Sequence, residues 1–381
     1  MNRYRAVSIL TIGITLSCLT PIAQGTDGKG IRKDPFYGAW IHLHRLFDYK
    51  DGVDIREASI EHAIDDCARS GLTSVMPFAI TGMGKAQYPS VIVPERVYRD
   101  WDPLGAVIRE SRERDLGVYI SVPLLVCGHE DPAGILAEHP EWAVLDREGK
   151  RLGYICGGNS EARKWLVSVV QELVRMYKPD GIVLDYLRYP NKPVDVDPET
   201  RARFLKEAGV ESYDIADRQD EKWQRFKEKC LIELAGLIRK GIDEIEPGTE
   251  LGIYSWGPQV AKDHYVSQDW ITMTEKGYLN LINVSGYMYE ENYGEDYLQE
   301  FEARMKEAAS ILPKGNSKAR LAFVLGVITS HGRLESADEI ETYLRIARTA
   351  GIPGCSVFTL SYLQPFIDDL LKNGPLNEPK G

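Results

Sequence analysis

The chain has 381 residues, 43% of them hydrophobic and 27% charged, with a formal net charge of -11. That is a globular composition with room for a sizeable core. The negative balance excludes a nucleic-acid backbone or an anionic membrane surface as the natural partner, because both would be repelled.

The first stretch reads as an export leader. Arg3 and Arg5 precede an apolar run from Ala6 to Thr20, and Ala23-Gln24-Gly25 forms a small-residue cleavage site, so residues 1–25 are expected to be removed. The run falls short of the ~20 residues a spanning helix needs. Ser17-Cys18 offers a lipoprotein site as a lesser alternative. Nothing later is long and apolar enough to cross a bilayer. The remaining cysteines, Cys67, Cys127, Cys156, Cys230 and Cys355, show no C-x-x-C spacing, which argues against structural zinc. Cys127 and Cys156 fall in one loop region, where an oxidising compartment would allow a disulfide.

From Tyr37 onward strand-like and helix-like stretches alternate. The expected strands are Tyr37 to Leu43, Leu72 to Phe78, Val118 to Val122, Gly181 to Asp185, Leu251 to Ser255, Leu281 to Tyr287, Leu321 to Val327 and Cys355 to Leu360. Helical patterns lie between them over Arg56 to Ser70, Trp101 to Asp115, Glu161 to Tyr177, Asp220 to Ile245, Gln268 to Lys276, Tyr297 to Ile311 and Ser336 to Ala350, with a short one near Pro365 to Leu371. This alternation predicts an α/β fold, a single (β/α)8 TIM barrel over residues 34–373, rather than an open doubly wound sheet, since no glycine-rich phosphate loop follows the first strand. The connections 124–160 and 187–219 are long, and such loops flank function in barrels. Both border Asp185.

In a barrel the chemistry sits at the C-terminal strand ends. Strand four delivers Asp185 there, followed at once by Tyr186, Arg188 and Tyr189. Arg188 and the neighbouring hydroxyls are expected to hold the Asp185 carboxylate ionised and lower its pKa. Strand one ends in Trp40, His42 and His44, strand five in Tyr254, Ser255 and Trp256, and strand six in Tyr287, Tyr289, Glu290 and Glu291. Tyr362 lies just past strand eight. Carboxylate, histidines and clustered aromatics at one rim point to sugar recognition, with Trp40, His42, His44, Tyr186, Arg188, Tyr189, Trp256, Tyr287 and Tyr289 as binding residues. Acid-assisted glycoside cleavage ordinarily needs two carboxylates; the second is expected to be Glu290 or Glu291, or Glu130 on the long third loop.

The pair His42-x-His44 is similar to the metal-dependent amidohydrolase barrels, but strands four to six end without further Lys or His ligands, so no metal and no cofactor is expected. No G-x-S-x-G elbow supports a serine triad.

The helix EARKWLVSVVQELVRMY leading into PDGIVLDYLRYP, within Gly158 to Pro190, resembles the glycosyl hydrolase-like 10 family of bacterial barrel glycosidases. Gly38-Ala39-Trp40-Ile41, Leu251-Gly252-Ile253 and Gln268-Asp269-Trp270 are similar to its other landmarks. The resemblance implies an exported or lipid-anchored protein and a carbohydrate substrate, cell-wall glycans among them. The chain departs from the family's Ser-Pro-Phe-Gly after strand five, having Tyr254-Ser255-Trp256-Gly257, and from its Pro-Gln before the strand-six tyrosine, having Val284-Ser285-Gly286-Tyr287. A glycan-binding barrel without activity is the alternative from another class.

Overall fold

The computed structural model describes residues 35–213, 220–262, 265–314 and 319–373. The expected leader and Cys18 lie outside them. Numbering only the barrel strands in chain order, they are β1 (Tyr37–Ile41), β2 (Ser74–Pro77), β3 (Gly117–Pro123), β4 (Gly181–Asp185), β5 (Glu250–Ser255), β6 (Leu281–Ser285), β7 (Arg320–Gly326) and β8 (Gly354–Phe358). All pair in parallel, each with the next, and β8 returns to β1, so eight strands close the barrel. Helices Val53–Arg69, Pro103–Glu113, Ser160–Tyr177, Glu221–Asp243, Trp270–Glu275, Tyr297–Ile311 and Ala337–Thr349 fill the crossovers, and Ile367–Asn373 follows β8. The expected single barrel is the observed one. Strand β1 stops two residues early because the chain turns at once into a 3-10 helix, Leu43–Arg45.

Strand alternation sorts the core into two layers. Trp40, Met76, Phe78, Tyr119, Val183, Leu281, Ala322 and Val324 form a cluster inside the barrel, whereas Ile182 and Leu184 belong to the larger core between strands and helices. Gly181 opens β4 because of Tyr119: a Cβ there would stand 2.4 Å from the Tyr119 ring. At that lower end the Tyr119 hydroxyl and Arg320 Nη2 both donate to Glu250 Oε2, at 2.9 and 2.7 Å. Halfway up, the Trp40 indole N–H donates to Ser356 Oγ (3.2 Å), whose hydroxyl donates to Asn283 Oδ1 (2.9 Å). The Trp40 indole and the Ser356 and Asn283 side chains are thereby paired. The result is a packed column whose top is Trp40, and truncating Trp40 to alanine would cost roughly 3–5 kcal/mol.

Above the barrel, the loop after β3 folds into its own antiparallel sheet, with Arg151–Ile155 between Val126–His129 and Ala143–Leu145. A third long connection, residues 78–102 after β2, escaped the sequence reading. It is pinned to the helix Ser160–Tyr177 by Glu172, whose buried carboxylate accepts from Tyr88 Oη (2.8 Å), Ser90 Oγ (2.6 Å) and the Val91 N–H (2.8 Å). All five described cysteines are buried free thiols. The disulfide envisaged for Cys127 and Cys156 is not formed: Cys127 packs beneath Gly84, while Cys156 faces Tyr189 and Thr200 at 3.7 Å. Among the described residues no helix is long and apolar enough to cross a membrane.

Candidate active site

Asp185 is the last residue of β4 and stands half-buried at the barrel mouth, on the same face as Val183. Its Oδ1 accepts from the Tyr186 N–H at 2.8 Å. Tyr186 takes a left-handed φ of 52°, costly for a residue with a Cβ, which turns the chain sharply as it leaves the strand. Burial raises the Asp185 carboxyl to about 6, and the opposing pull of the Tyr186 N–H and the Arg188 charge does not offset it. The expectation of a lowered pKa is corrected: desolvation outweighs hydrogen bonding here.

Arg188 is 7% exposed and makes no ion pair with Asp185; its guanidinium carbon lies 4.5 Å from the centre of the Tyr186 ring and 4.3 Å from that of Trp256. Its Nη1 donates to the Tyr189 carbonyl at 3.2 Å. The cation thus sits between two aromatic faces, each such contact contributing ~0.5–2 kcal/mol. His129 and Tyr154 continue this wall from the loop sheet, the His129 ring lying 5.6 Å from Tyr186 and 5.9 Å from Tyr154. Neither was singled out from the sequence.

The opposite wall is aromatic. His42 stacks on Phe78 (4.6 Å, 14°) and meets Phe358 edge-on (5.4 Å). Burial, then the neighbouring His44 and Arg45 charges, lower His42 to about 4, so it is a neutral hydrogen-bonding ring at physiological pH. His44 is exposed, its ring 5.5 Å from that of His42. Tyr254 and Tyr287 close the mouth between these walls, with ring centres 6.2 Å apart, Tyr254 edge-on to Trp40 and Tyr287 5.9 Å from Phe358. Burial first, and also the charge of Asp185, hold both hydroxyls above the ordinary tyrosine range. Arg45 lies 4.7 Å over the Tyr362 ring at the rim.

Several expected residues stand elsewhere. Tyr189 is buried against Cys156, and Tyr289 is buried with its hydroxyl donating to the Gly326 carbonyl at 2.9 Å. Both are pillars of the loops rather than surfaces for a ligand. Glu290 and Glu291 are exposed on the short helix Glu290–Tyr293; both charges bear on Tyr297, and that of Glu291 also on Tyr289 and Tyr343. Neither is among the groups that shift the Asp185 carboxyl. Glu130 is exposed and paired with Lys192 at 2.8 Å, on the wall of His129 and Tyr154, whose titration it influences. Phe78, one residue past β2, and Phe358, the last of β8, continue the inward alternation of their strands, a signal the sequence did carry.

Among the described residues no group of three or more His, Cys, Asp or Glu side chains is gathered as a metal site would require. What the mouth offers is a carboxyl raised toward neutral pH, two neighbouring phenols from the next strand ends, a neutral imidazole and flat aromatic walls. That set suits a polyol ring, which presents hydroxyls at its edges and an apolar face.

The chain matches Glycosyl hydrolase-like 10 over residues 36–313, from β1 to the helix behind β6. The glycosyl hydrolase YngK of Bacillus subtilis (strain 168) is 25% identical over 267 residues, 65% of this chain and 49% of that protein. The glycosyl hydrolase DigH of Escherichia coli (strain K12) is 23% identical over 233 residues, 55% of this chain and 50% of that protein. The chain therefore spans about half the length of these relatives. In fold it is similar to the PgaB (BpsB) glycoside hydrolase domain from Bordetella bronchiseptica, with TM-score 0.68, 13% identity and coverage of 88% of this chain and 98% of that one. With the matched stretch containing Trp40, Asp185, Arg188, Tyr254 and Tyr287, the chain belongs to the Glycosyl hydrolase-like 10 family.

Proposed function

We propose that this protein is an exported glycoside hydrolase cleaving O-glycosidic bonds in a polysaccharide or cell-wall glycan, with Asp185 as the carboxyl that protonates the departing oxygen. The observation that carries this reading is Asp185 itself: a strand-end carboxyl raised to about 6 by burial, whose charge reaches both Tyr254 and Tyr287 on the next strand ends. A group protonated near working pH is what an acid catalyst needs. Trp256, Tyr186 and Tyr287 would stack on sugar faces, and His42 and Arg188 would bond sugar oxygens. The names of YngK and DigH as glycosyl hydrolases support the reaction class.

Of the three carboxylates weighed as partner, Glu130 is retained, because it shares the Arg188 wall through Tyr154. Its pairing with Lys192 would have to open, or the ion pair would hold an ionised Glu130 as the base that activates water. A carboxyl separation in the complex of ~6.5–9.5 Å would give inversion, ~5 Å retention.

A second reading has one observation in its favour. Glu290 and Glu291 are exposed and Glu130 is engaged with Lys192, an arrangement that a barrel binding glycan without cutting it would keep unchanged. Incubating the purified protein with cell-wall and plant glycans and analysing products by mass spectrometry separates the two. New reducing ends, absent with Asp185→Asn, support hydrolysis; retention of glycan with no product supports binding alone. Export is tested by N-terminal sequencing of secreted material. A mature start near Thr26 is expected, and an intact Met1 in the cytoplasm would contradict it.

A further inference from the structure

The segment between β5 and the helix Trp270–Glu275 carries Gln268-Asp269-Trp270, and the chemistry above uses none of the three. Two have plain structural duties. Asp269 caps the helix, accepting from the Thr272 N–H (2.9 Å) and Thr272 Oγ1 (2.6 Å), and Trp270 is fully buried with its indole N–H toward the Gly257 carbonyl (3.4 Å).

Gln268 differs. Its side chain is 1% exposed, and its Nε2 donates to two backbone carbonyls, Tyr254 at 2.9 Å and Leu187 at 3.3 Å. One carbonyl belongs to β5 beneath a tyrosine of the mouth; the other lies two residues past Asp185. Because both partners only accept, the amide must present nitrogen to them, and its Oε1 is left buried without a partner. The fold accepts that cost, along with a left-handed backbone at two successive non-glycine residues, Val266 (φ 54°) and Ser267 (φ 60°), which deliver the side chain to this place. The Tyr189 N–H donating to the Val266 carbonyl at 3.0 Å adds a second tie between the same segments.

We propose that Gln268 is a positioning residue, a two-pronged clamp that fixes the backbone after Asp185 to the end of β5 and so sets Asp185, Tyr186 and Arg188 against Tyr254. The kinetic consequence rests on the glycoside hydrolase reading; the mechanical one does not. A clamp of this kind acts on the reacting geometry rather than on sugar contacts, so its loss is felt in kcat.

The test uses the full chain with Gln268→Met and Gln268→Glu, both close to glutamine in volume. In Gln268→Met, amide hydrogen exchange should quicken in residues 186–190 and 254–257 and stay unchanged elsewhere. On whichever glycan the wild type cleaves, kcat should fall about 10- to 100-fold, since misplacement by about 1 Å costs that much, with KM within about threefold. Gln268→Glu keeps one donor while protonated and none once ionised, so its kcat relative to wild type, and its exchange pattern, should recover as pH falls. A role in packing alone would spread the loosening beyond residues 186–190 and 254–257 at every pH. Unchanged exchange at 186–190 in Gln268→Met overturns the proposal, as does loosening spread over the whole chain, or a Gln268→Glu protein equal to wild type at every pH. Should Gln268→Met not fold, Gln268→Glu at acid and neutral pH decides alone. If the wild type cleaves no glycan, the hydrolase reading falls, and the exchange experiment still judges the clamp.

Discussion

The guanidinium of Arg188 lies 4.3 Å from the centre of the Trp256 ring, so the cation three residues beyond Asp185 is held by aromatic faces and not by the carboxylate. This leaves Asp185 without an ion pair to Arg188, and burial outweighs the arginine's more distant charge in deciding its protonation. It also makes Arg188 part of the wall. A planar guanidinium can stack and still present N–H groups in its plane, which an ammonium cannot. Arg188→Lys is therefore expected to behave like a loss, raising KM about tenfold or more on the true glycan. Trp256→Ala should do the same by removing the other half of the stack. Wild-type kinetics in Arg188→Lys would show that the sandwich has no part in binding.

Activity should depend on the Asp185 proton. With the carboxyl at about 6 in the free protein, kcat/KM is expected to fall as pH rises through that value. Asp185→Asn, nearly isosteric, should lower kcat by several orders of magnitude with the fold retained. A basic limb far from pH 6, or near-normal turnover by folded Asp185→Asn on the true substrate, removes Asp185 from the acid role.

The mouth's two titrating groups act on stability in opposite senses. Asp185 is raised from the ordinary ~3.9 to about 6, so between those values the folded state binds the extra proton and stability falls as pH rises. His42 is lowered from 6.5 to about 4, so there the unfolded state binds the extra proton and stability is lost as pH falls. In the wild type the two slopes oppose each other over pH 4–6. Asp185→Asn leaves the His42 slope alone and should be more stable than wild type at pH 7, by roughly 1–3 kcal/mol, the usual trade of a buried functional charge. His42→Gln should show the reverse slope. Chemical denaturation at pH 4, 5.5 and 7 reads both, and parallel pH profiles for all three proteins would contradict the argument.

Much of this was legible in the residues. Gly181 to Leu184 is a buried apolar run ending in a carboxylate, and in a parallel barrel such a run has one possible position. The aromatic rim followed from strand ends, where alternation fixes facing. Beyond the strands that rule lapses. Tyr186, Arg188 and Tyr189 look alike as loop residues; a single left-handed turn at Tyr186 places the first two around the mouth and buries the third. Glu290 and Glu291 follow strand six closely in sequence, but they stand exposed on a short helix and not on the strand itself. His129 and Tyr154 come from an antiparallel excursion whose pairing no periodicity announced. The sign of the Asp185 shift required the burial itself, which a neighbouring arginine in the sequence does not reveal.

The partner carboxylate is decided by comparing three substitutions. Glu290→Gln and Glu291→Gln alter exposed residues that are not among the groups shifting the Asp185 carboxyl, so turnover should stay within about twofold of wild type, as for surface changes away from a site. Glu130→Gln removes a charge on the Arg188 wall and frees Lys192. If Glu130 activates water, kcat should fall about 100-fold or more while KM holds, within the ~10²–10⁴ attributed to a general base. Lys192→Met is the control. It breaks the same ion pair without touching the carboxylate, and a surface pair contributes only ~0–1 kcal/mol, so a loss confined to Glu130→Gln assigns chemistry, whereas equal losses in both assign loop order. Added azide sharpens the reading: an anion that replaces the activated water should restore turnover in Glu130→Gln and leave Asp185→Asn inactive on a glycan with a poor leaving group. Wild-type kcat in Glu130→Gln would move the search for the second carboxylate away from the third loop.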